Sequence, residues 1–494
     1  MRNSPTPPTP PTPPTPPTPP TPFTPVPPPV PLAPLAPLAL VCLAGLTGCP
    51  DRTVAGLVPE QIGEVTKDIP VTTEIDLLFV IDDSGSTKDK QTVFAANFPR
   101  FVQALDTFPE GRPNLHIGVV STTVDLGVPN IGGCPHPAPD DDGLLHNQPA
   151  GACAAPADRY IVDVADPAGG RRTNYTGTLE GALSCIAQIG SDGCGFEAPL
   201  EAMKRALDGS RPENAGFLRK NAFLVVVFLV DEDDASIGDP AFFSGAPPTS
   251  DFGAQPLLAY QCDQSISPTS AGSYTGCRPR TGSVLTEPGR YFEFLSTIAS
   301  PGRTIVATIG GDPRPGIDVG PLTIGGRVVQ QLALMPSCSA TINGNPAIGR
   351  PAIRLADFTS RFGDHGLFRT VCQPDYSQAL ADIGGLIATS VSPCLEGDLV
   401  TTDLDPDEPG IQLECNVSDV TFEPEATEAL IPRCAMLDAD HPAPGGARPC
   451  WWTQRDPAAC GATATQLELH IERTSPPAPG SSVRARCATG GGGA

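Results

Sequence analysis

The chain has 494 residues, room for two or three domains at roughly 100–200 residues each. Its 55 acidic and 31 basic residues give a formal net charge of −24 at pH 7, which repels phosphate backbones and argues against nucleic acid as a partner. The 16 cysteines contain no C-x-x-C pair, and the six histidines (His116, His136, His146, His365, His441, His470) are scattered singly. Zinc sites need closely spaced ligand pairs, so disulfides in an oxidising compartment are the better reading.

Residues 4–22 are a Thr-Pro-Pro repeat, which predicts an extended polyproline-like coil. An apolar run follows at 38–46, too short for the roughly 20 residues of a bilayer span but right for a signal-peptide core. It leads directly into Leu46-Thr47-Gly48-Cys49, which resembles the lipobox of bacterial lipoproteins. The resemblance implies cleavage before Cys49 and lipidation of that cysteine, with 1–48 as Pro-rich N-terminus and signal peptide and 49–72 as a linker. The segment before the apolar run departs from such signals in carrying a single basic residue, Arg2. With Cys49 modified and Cys42 removed, the other cysteines group by position as Cys134/Cys153, Cys185/Cys194, Cys262/Cys277, Cys338/Cys372 and six between Cys394 and Cys487. Even groups suit bridges formed within two modules, with the connectivity left open.

From residue 73 to 393 the pattern alternates between strand and helix. Residues 75–81 are a short apolar run of the kind that forms a buried parallel strand. Phe94, Phe98, Phe101, Leu105 and Phe108 then mark one helical face, with a kink or late start predicted at Pro99. A strand at 115–120 precedes a loop-like insertion at 125–174. Helices are predicted at 178–189 and 196–207, and a central strand at 222–230. A second Gly/Pro/Ser-rich insertion spans 237–283, followed by helix 288–299, strand 303–309, a variable stretch, strand 367–371 and helix 376–391. Strands separated by helices predict an α/β fold, a Rossmann-like doubly wound and mostly parallel sheet. Residues 394–489, rich in Pro, Asp and Cys, read as a small disulfide-rich, mostly β module, and 490–494 as a disordered tail.

The first strand ends in Asp82-Asp83-Ser84-Gly85-Ser86, a D-x-S-x-S loop, and the central strand ends in Asp231. In open α/β sheets ligands bind at the carboxyl ends of strands, so two strands would deliver oxygen ligands to one edge. On these residues the stretch 73–393 resembles a von Willebrand factor type A domain with its metal-ion-dependent adhesion site. Residues 193–207 are also similar to a stretch in a group of bacterial secreted proteins. The resemblance implies that Ser84 and Ser86 ligate the metal directly and that Asp82 and Asp231 neutralise its charge. The family's further threonine ligand is missing from the loop before helix 196–207. Glu197 is the candidate for that place, with Thr176 and Thr178 as competitors.

Hydroxyl ligands leave a hard cation short of negative charge, ready for a carboxylate from a partner. The expected cofactor is therefore a divalent cation, Mg2+ first, with Mn2+ or Ca2+ as alternatives. The expected partners are a protein or extracellular matrix ligand reached through the metal, and a membrane reached only through the lipid anchor. The expected location is the cell envelope (outer membrane or cell surface) or, without the anchor, the secreted fraction. Glu232, Asp233 and Asp234 read as a solvated loop or outer support of the site. Asp403-Leu-Asp405-Pro-Asp407 has calcium-loop spacing but Glu408 where glycine is needed. Trp451-Trp452 reads as core of the Cys-rich module.

No G-x-S-x-G or H-E-x-x-H motif points to a hydrolase, and the expectation is a binding protein rather than an enzyme. Two alternatives stand beside it. One is a structural surface protein with a degenerate metal site. The other is an actin-like ATPase, because 83–87 fits a D-x-G-[ST]-[ST] phosphate loop, which a β-hairpin should follow.

Overall fold

A computed structural model describes residues 63–70, 74–108, 111–126, 141–148, 153–220, 222–237, 259–267, 269–299, 301–314, 316–324, 327–401, 407–421, 427–461, 463–475 and 481–490. Cys49, Cys134, Asp403 and Asp405 lie outside these residues, and so do the polyproline and signal segments.

The chain begins with β1 (Gly63–Pro70) and β2 (Glu74–Ile81), then α1 (Lys88–Ala96), α2 (Phe98–Asp106) and β3 (Asn114–Ser121). Next come β4 (Ile161–Ala165), β5 (Arg171–Thr173), α3 (Leu179–Ile186), α4 (Pro199–Leu207) and β6 (Phe223–Leu229). Short strands β7 (Tyr260–Gln261), β8 (Gly272–Thr275) and β9 (Arg278–Pro279) precede α5 (Pro288–Ile298) and β10 (Thr304–Gly310). Two hairpins follow, β11 (Gly316–Ile324) with β12 (Arg327–Leu334) and β13 (Cys338–Ile342) with β14 (Asn345–Gly349). Then come α6 (Ile353–Ser360), β15 (Gly366–Thr370) and α7 (Ser377–Val391). The C-terminal part holds β16 (Cys415–Thr421), β17 (Thr427–Ile431), β18 (Cys450–Arg455), β19 (Leu467–Glu472) and β20 (Ser482–Thr489).

The main sheet is mixed, in the order β15-β10-β6-β2-β3-β4-β5. The five strands from β15 to β3 are parallel, and β4 and β5 continue antiparallel. The insertion expected to be a loop at 125–174 thus contributes two strands, β4 and the edge strand β5. Strand β2 is buried on both faces, as a central parallel strand must be. Its Ile75, Leu77, Phe79 and Ile81 pack with α1, α2, α3 and α7, while Leu78 and Val80 pack with α4, α5 and α6. The expected kink is a full break at Asn97. Pro99 sits in the first turn of α2, where its missing N–H costs no hydrogen bond. Phe79 meets Phe94, Phe98 and Phe101 edge-on, with ring centres 5.5–5.9 Å apart, which holds both helices to the sheet.

The second insertion adds a satellite layer in which β8 joins the β11–β12 hairpin around Tyr260, Tyr274, Ile317 and Leu334. In the C-terminal part, β1 pairs antiparallel with β20 in the sheet β1-β20-β16-β17. Residues 63–70, expected in a linker, are therefore a strand of the Cys-rich module, although the whole α/β unit separates the two in sequence. Trp451 belongs to that module's core, while Trp452 is half-buried and stacks on His470 at 4.9 Å.

Among the described residues, six disulfides join Cys153–Cys185, Cys262–Cys277, Cys338–Cys372, Cys394–Cys460, Cys415–Cys487 and Cys434–Cys450. Cys194 is also disulfide-bonded. The groupings Cys134/Cys153 and Cys185/Cys194 are thus corrected. Cys153 instead staples the first insertion to α3, a choice that sequence order cannot reveal. This density of bridges indicates an exported protein. Among the described residues, no helix is long and apolar enough to cross a membrane.

Candidate metal centre

Taken in chain order, the five parallel strands run β2, β3, β6, β10, β15, but in space β2 lies between β3 and β6. The direction of winding therefore reverses between β2 and β6, which creates a crevice at their carboxyl ends. Asp82 follows β2 and Asp231 follows β6, and the ladder between these strands reaches Asp82, whose N–H donates to Leu229 O at 2.9 Å.

The third carboxylate comes from the loop before α4. Pro199 starts that helix, later than the expected residue 196, and leaves Phe196 and Glu197 on the entering loop. Backbone bonds tie the loop to two strand ends: Ala198 N donates to Thr122 O at 3.0 Å, and Ala235 N to Glu197 O at 2.8 Å. Carboxylate oxygens of Asp82, Glu197 and Asp231 all lie within 4.8 Å of one another, and each side chain is almost wholly buried.

The D-x-S-x-S loop is held by its own hydrogen bonds. Ser84 N–H donates to Asp82 Oδ1 at 2.7 Å, Thr87 Oγ1 to Asp82 O at 2.8 Å, and Gln91 Nε2 to the same carbonyl at 2.7 Å. Ser84 Oγ and Ser86 Oγ are 3.3 Å apart, the first buried and the second exposed. Asp83 faces away from the cluster and accepts from Thr123 Oγ1 at 2.9 Å. The competitors for the further ligand position are not at the cluster: Thr178 caps α3, accepting from Gly181 N at 3.3 Å, and Thr176 is exposed. Helix α1 follows the loop directly, so the hairpin required of an actin-like phosphate loop is not there.

Burial, and then repulsion from Asp231, pushes the Asp82 carboxyl up to about 8. Burial, reinforced by Asp82, raises Glu197 well above the usual carboxylate range, and the two share a hydrogen bond. Asp231 Oδ1 and Glu197 Oε2 are buried with no hydrogen-bond partner. Hard oxygen donors, converging and partly unsatisfied, are what a Mg2+- or Ca2+-type cation requires, so these residues fit such an ion.

Sequence reading missed Lys90. Its Nζ lies 2.6 Å from Asp231 Oδ2 and 3.0 Å from Ser86 O, and the side chain is buried. A signal was present: Lys90 precedes Phe94 by one helical turn and so lies on the stripe that faces the sheet. Of the two readings of the acidic run after Asp231, the solvated loop is overturned, because the run is buried, and the outer support of the strand end is what its contacts fit. Glu232 pairs with Arg350, Asp234 with Arg354 at 2.9 Å, and Asp233 accepts the N–H groups of Arg354 and Leu355 at the start of α6. These contacts anchor the strand end that carries Asp231.

No protein-family model matches the sequence, and no curated protein does either. Among solved structures the chain is similar to a von Willebrand factor type A protein from Catenulispora acidiphila, with 9% identity, TM-score 0.27, and coverage of 87% of this chain and 65% of the other. It is also similar to proximal thread matrix protein 1 from the mussel byssus, with 10% identity, TM-score 0.26, and coverage of 66% and 48% respectively. A third is the pilus adhesin RrgA from Streptococcus pneumoniae, with 11% identity, TM-score 0.20, and coverage of 86% and 57%. This chain thus spans less than two-thirds of each of those chains.

Proposed function

We propose that this chain is an exported, lipid-anchored binding protein of the von Willebrand factor type A kind, not an enzyme, which captures carboxylate-bearing ligands through a divalent cation. Asp82, Glu197 and Asp231 would hold the ion, with Ser84 and Ser86 on its outward side. A bound cation supplies an open coordination position that attracts an anionic group. The protein's own part is to keep the carboxylates dry and fixed at the switch point, while the D-x-S-x-S loop presents the exposed face of the site. Support rests on one observation: three buried carboxylates from separate elements converge, and two of their oxygens have no partner.

The anchor is assigned to Cys49 on its lipobox-like context alone. One observation favours a second reading, a structural surface protein with a degenerate site: the Lys90 ammonium already sits on Asp231.

Calorimetric titration of Mg2+, Mn2+ and Ca2+ into the mature protein, beside an Asp231→Asn variant, separates the two. Binding by the wild type should weaken in the variant by more than the roughly 10–100-fold that loss of an outer-shell partner costs. A folded wild type that binds none of the three ions would overturn the metal-dependent reading and favour the structural one.

A further inference from the structure

Lys90 is the only basic side chain hydrogen-bonded to the three carboxylates among the described residues, and it is buried with them. Its ammonium lies on Asp231 Oδ2 at 2.6 Å and is held from behind by Ser86 O at 3.0 Å. Because it stands on the first turn of α1, directly after the serine loop, its position is set by the same segment that would face the ion. Asp231 Oδ1 and Glu197 Oε2 remain buried and without partners. Ionised, the three carboxylates carry three negative charges, of which the ammonium cancels one. Two are left, and a divalent cation cancels both.

We propose that Lys90 is the residue that sets the charge selectivity of this site, tuning a three-carboxylate cluster to divalent rather than trivalent cations. The inference rests on the metal-binding reading above. Uncompensated charge in a buried site is costly, so the ion whose charge completes neutrality is favoured. Repulsion between the ammonium and an ion grows in proportion to the ion's charge. Removing the ammonium therefore helps a trivalent ion more than a divalent one. Removing the Glu197 charge acts in the opposite direction, and removing both restores the original balance.

The test measures affinities for Ca2+ and Tb3+, ions of similar oxygen preference, by calorimetry and by Tb3+ luminescence. Lys90→Met should raise the ratio of Tb3+ to Ca2+ affinity by at least about 10-fold, and Lys90→Arg should leave it near the wild-type value. Glu197→Gln should lower the ratio, and the Lys90→Gln/Glu197→Gln double variant, which removes the opposing charges together and so provides a folded case should the Lys90→Met protein not fold, should return it close to wild type. Unchanged ratios in Lys90→Met, or a double variant that behaves like Glu197→Gln alone, would overturn the role of Lys90 while leaving the metal site standing. Absence of Ca2+ and Tb3+ binding in the wild type and in every variant would overturn both.

Discussion

The Gly193 N–H donates to the carbonyl of Asp83 at 2.8 Å, and its Cα is so close that a Cβ built there would stand 2.2 Å from the Asp83 carboxyl carbon. The contact locks the loop carrying Glu197 against the loop carrying Asp82, and only a residue without a side chain permits it. Gly193→Ala must therefore either turn the buried Asp83 carboxylate away from its bond to Thr123 or push the two loops apart. The expected cost is about 1–3 kcal/mol, the usual range for overpacking a close-packed site, together with weaker metal binding. Chemical denaturation measures the first and calorimetry the second. A variant with unchanged stability would mean that the loops slide without penalty.

Metal binding should depend on pH in a definite direction. The Asp82 carboxyl is pushed up to about 8 by burial and by Asp231, and Glu197 is raised well above its usual range. The metal-free site therefore holds protons at neutral pH, and a cation must displace them. Affinity should rise with pH through about 8, with proton release on binding. The metal-free protein should behave oppositely: its folded carboxyls bind protons more tightly than the unfolded ones, so its stability falls as pH rises from the ordinary carboxylate range toward 8. Calorimetry in buffers of different ionisation enthalpy counts the protons. A pH-independent affinity would contradict this account.

His116 supplies a second pH effect, remote from the carboxylate cluster. Its Nδ1 pairs with Phe217 O at 2.9 Å, and its ring lies 5.0 Å from that of Tyr160. Burial, aided by repulsion from Arg219, lowers its pKa from 6.5 to about 4. The unfolded histidine takes up its proton first, so this contribution is whole above 6.5 and is lost as pH falls toward 4. Asp76, pushed up to about 7 by burial, titrates nearby with the opposite sign. The clean observable is therefore the difference between wild type and His116→Gln. Stability profiles from pH 8 to pH 4 should converge toward the acid end, and parallel profiles would rule His116 out.

Strand β1 should matter to a module that lies hundreds of residues away in sequence. Asp68 forms an ion pair with Arg484 at 2.7 Å, Lys67 with Glu396, and Ile69 and Val65 pack on the module's core. A chain that starts at Glu74 loses these contacts and exposes the edge of β20. Its thermal midpoint should fall by roughly 5–10 °C, as expected for a few kcal/mol, with faster proteolysis after residue 394. An unchanged midpoint would show that the strand is dispensable.

The alternation of apolar strands and amphipathic helices was legible in the chain from β2 to α7, because each element must bury its own face and so writes its period locally. That Asp82, Glu197 and Asp231 meet at one edge of the sheet was legible for a related reason. Each stands at the junction of a readable strand, loop or helix, and the carboxyl ends of parallel strands share one edge. What the amino-acid order does not carry is pairing across distance. The union of β1 with β20, the Cys153–Cys185 bridge, the pairing of β4 with β3, and the Lys90 ammonium on Asp231 all join residues whose local patterns are silent about each other. Tertiary packing alone decided them, because burial leaves a charge or a strand edge only the partners that the fold brings within reach.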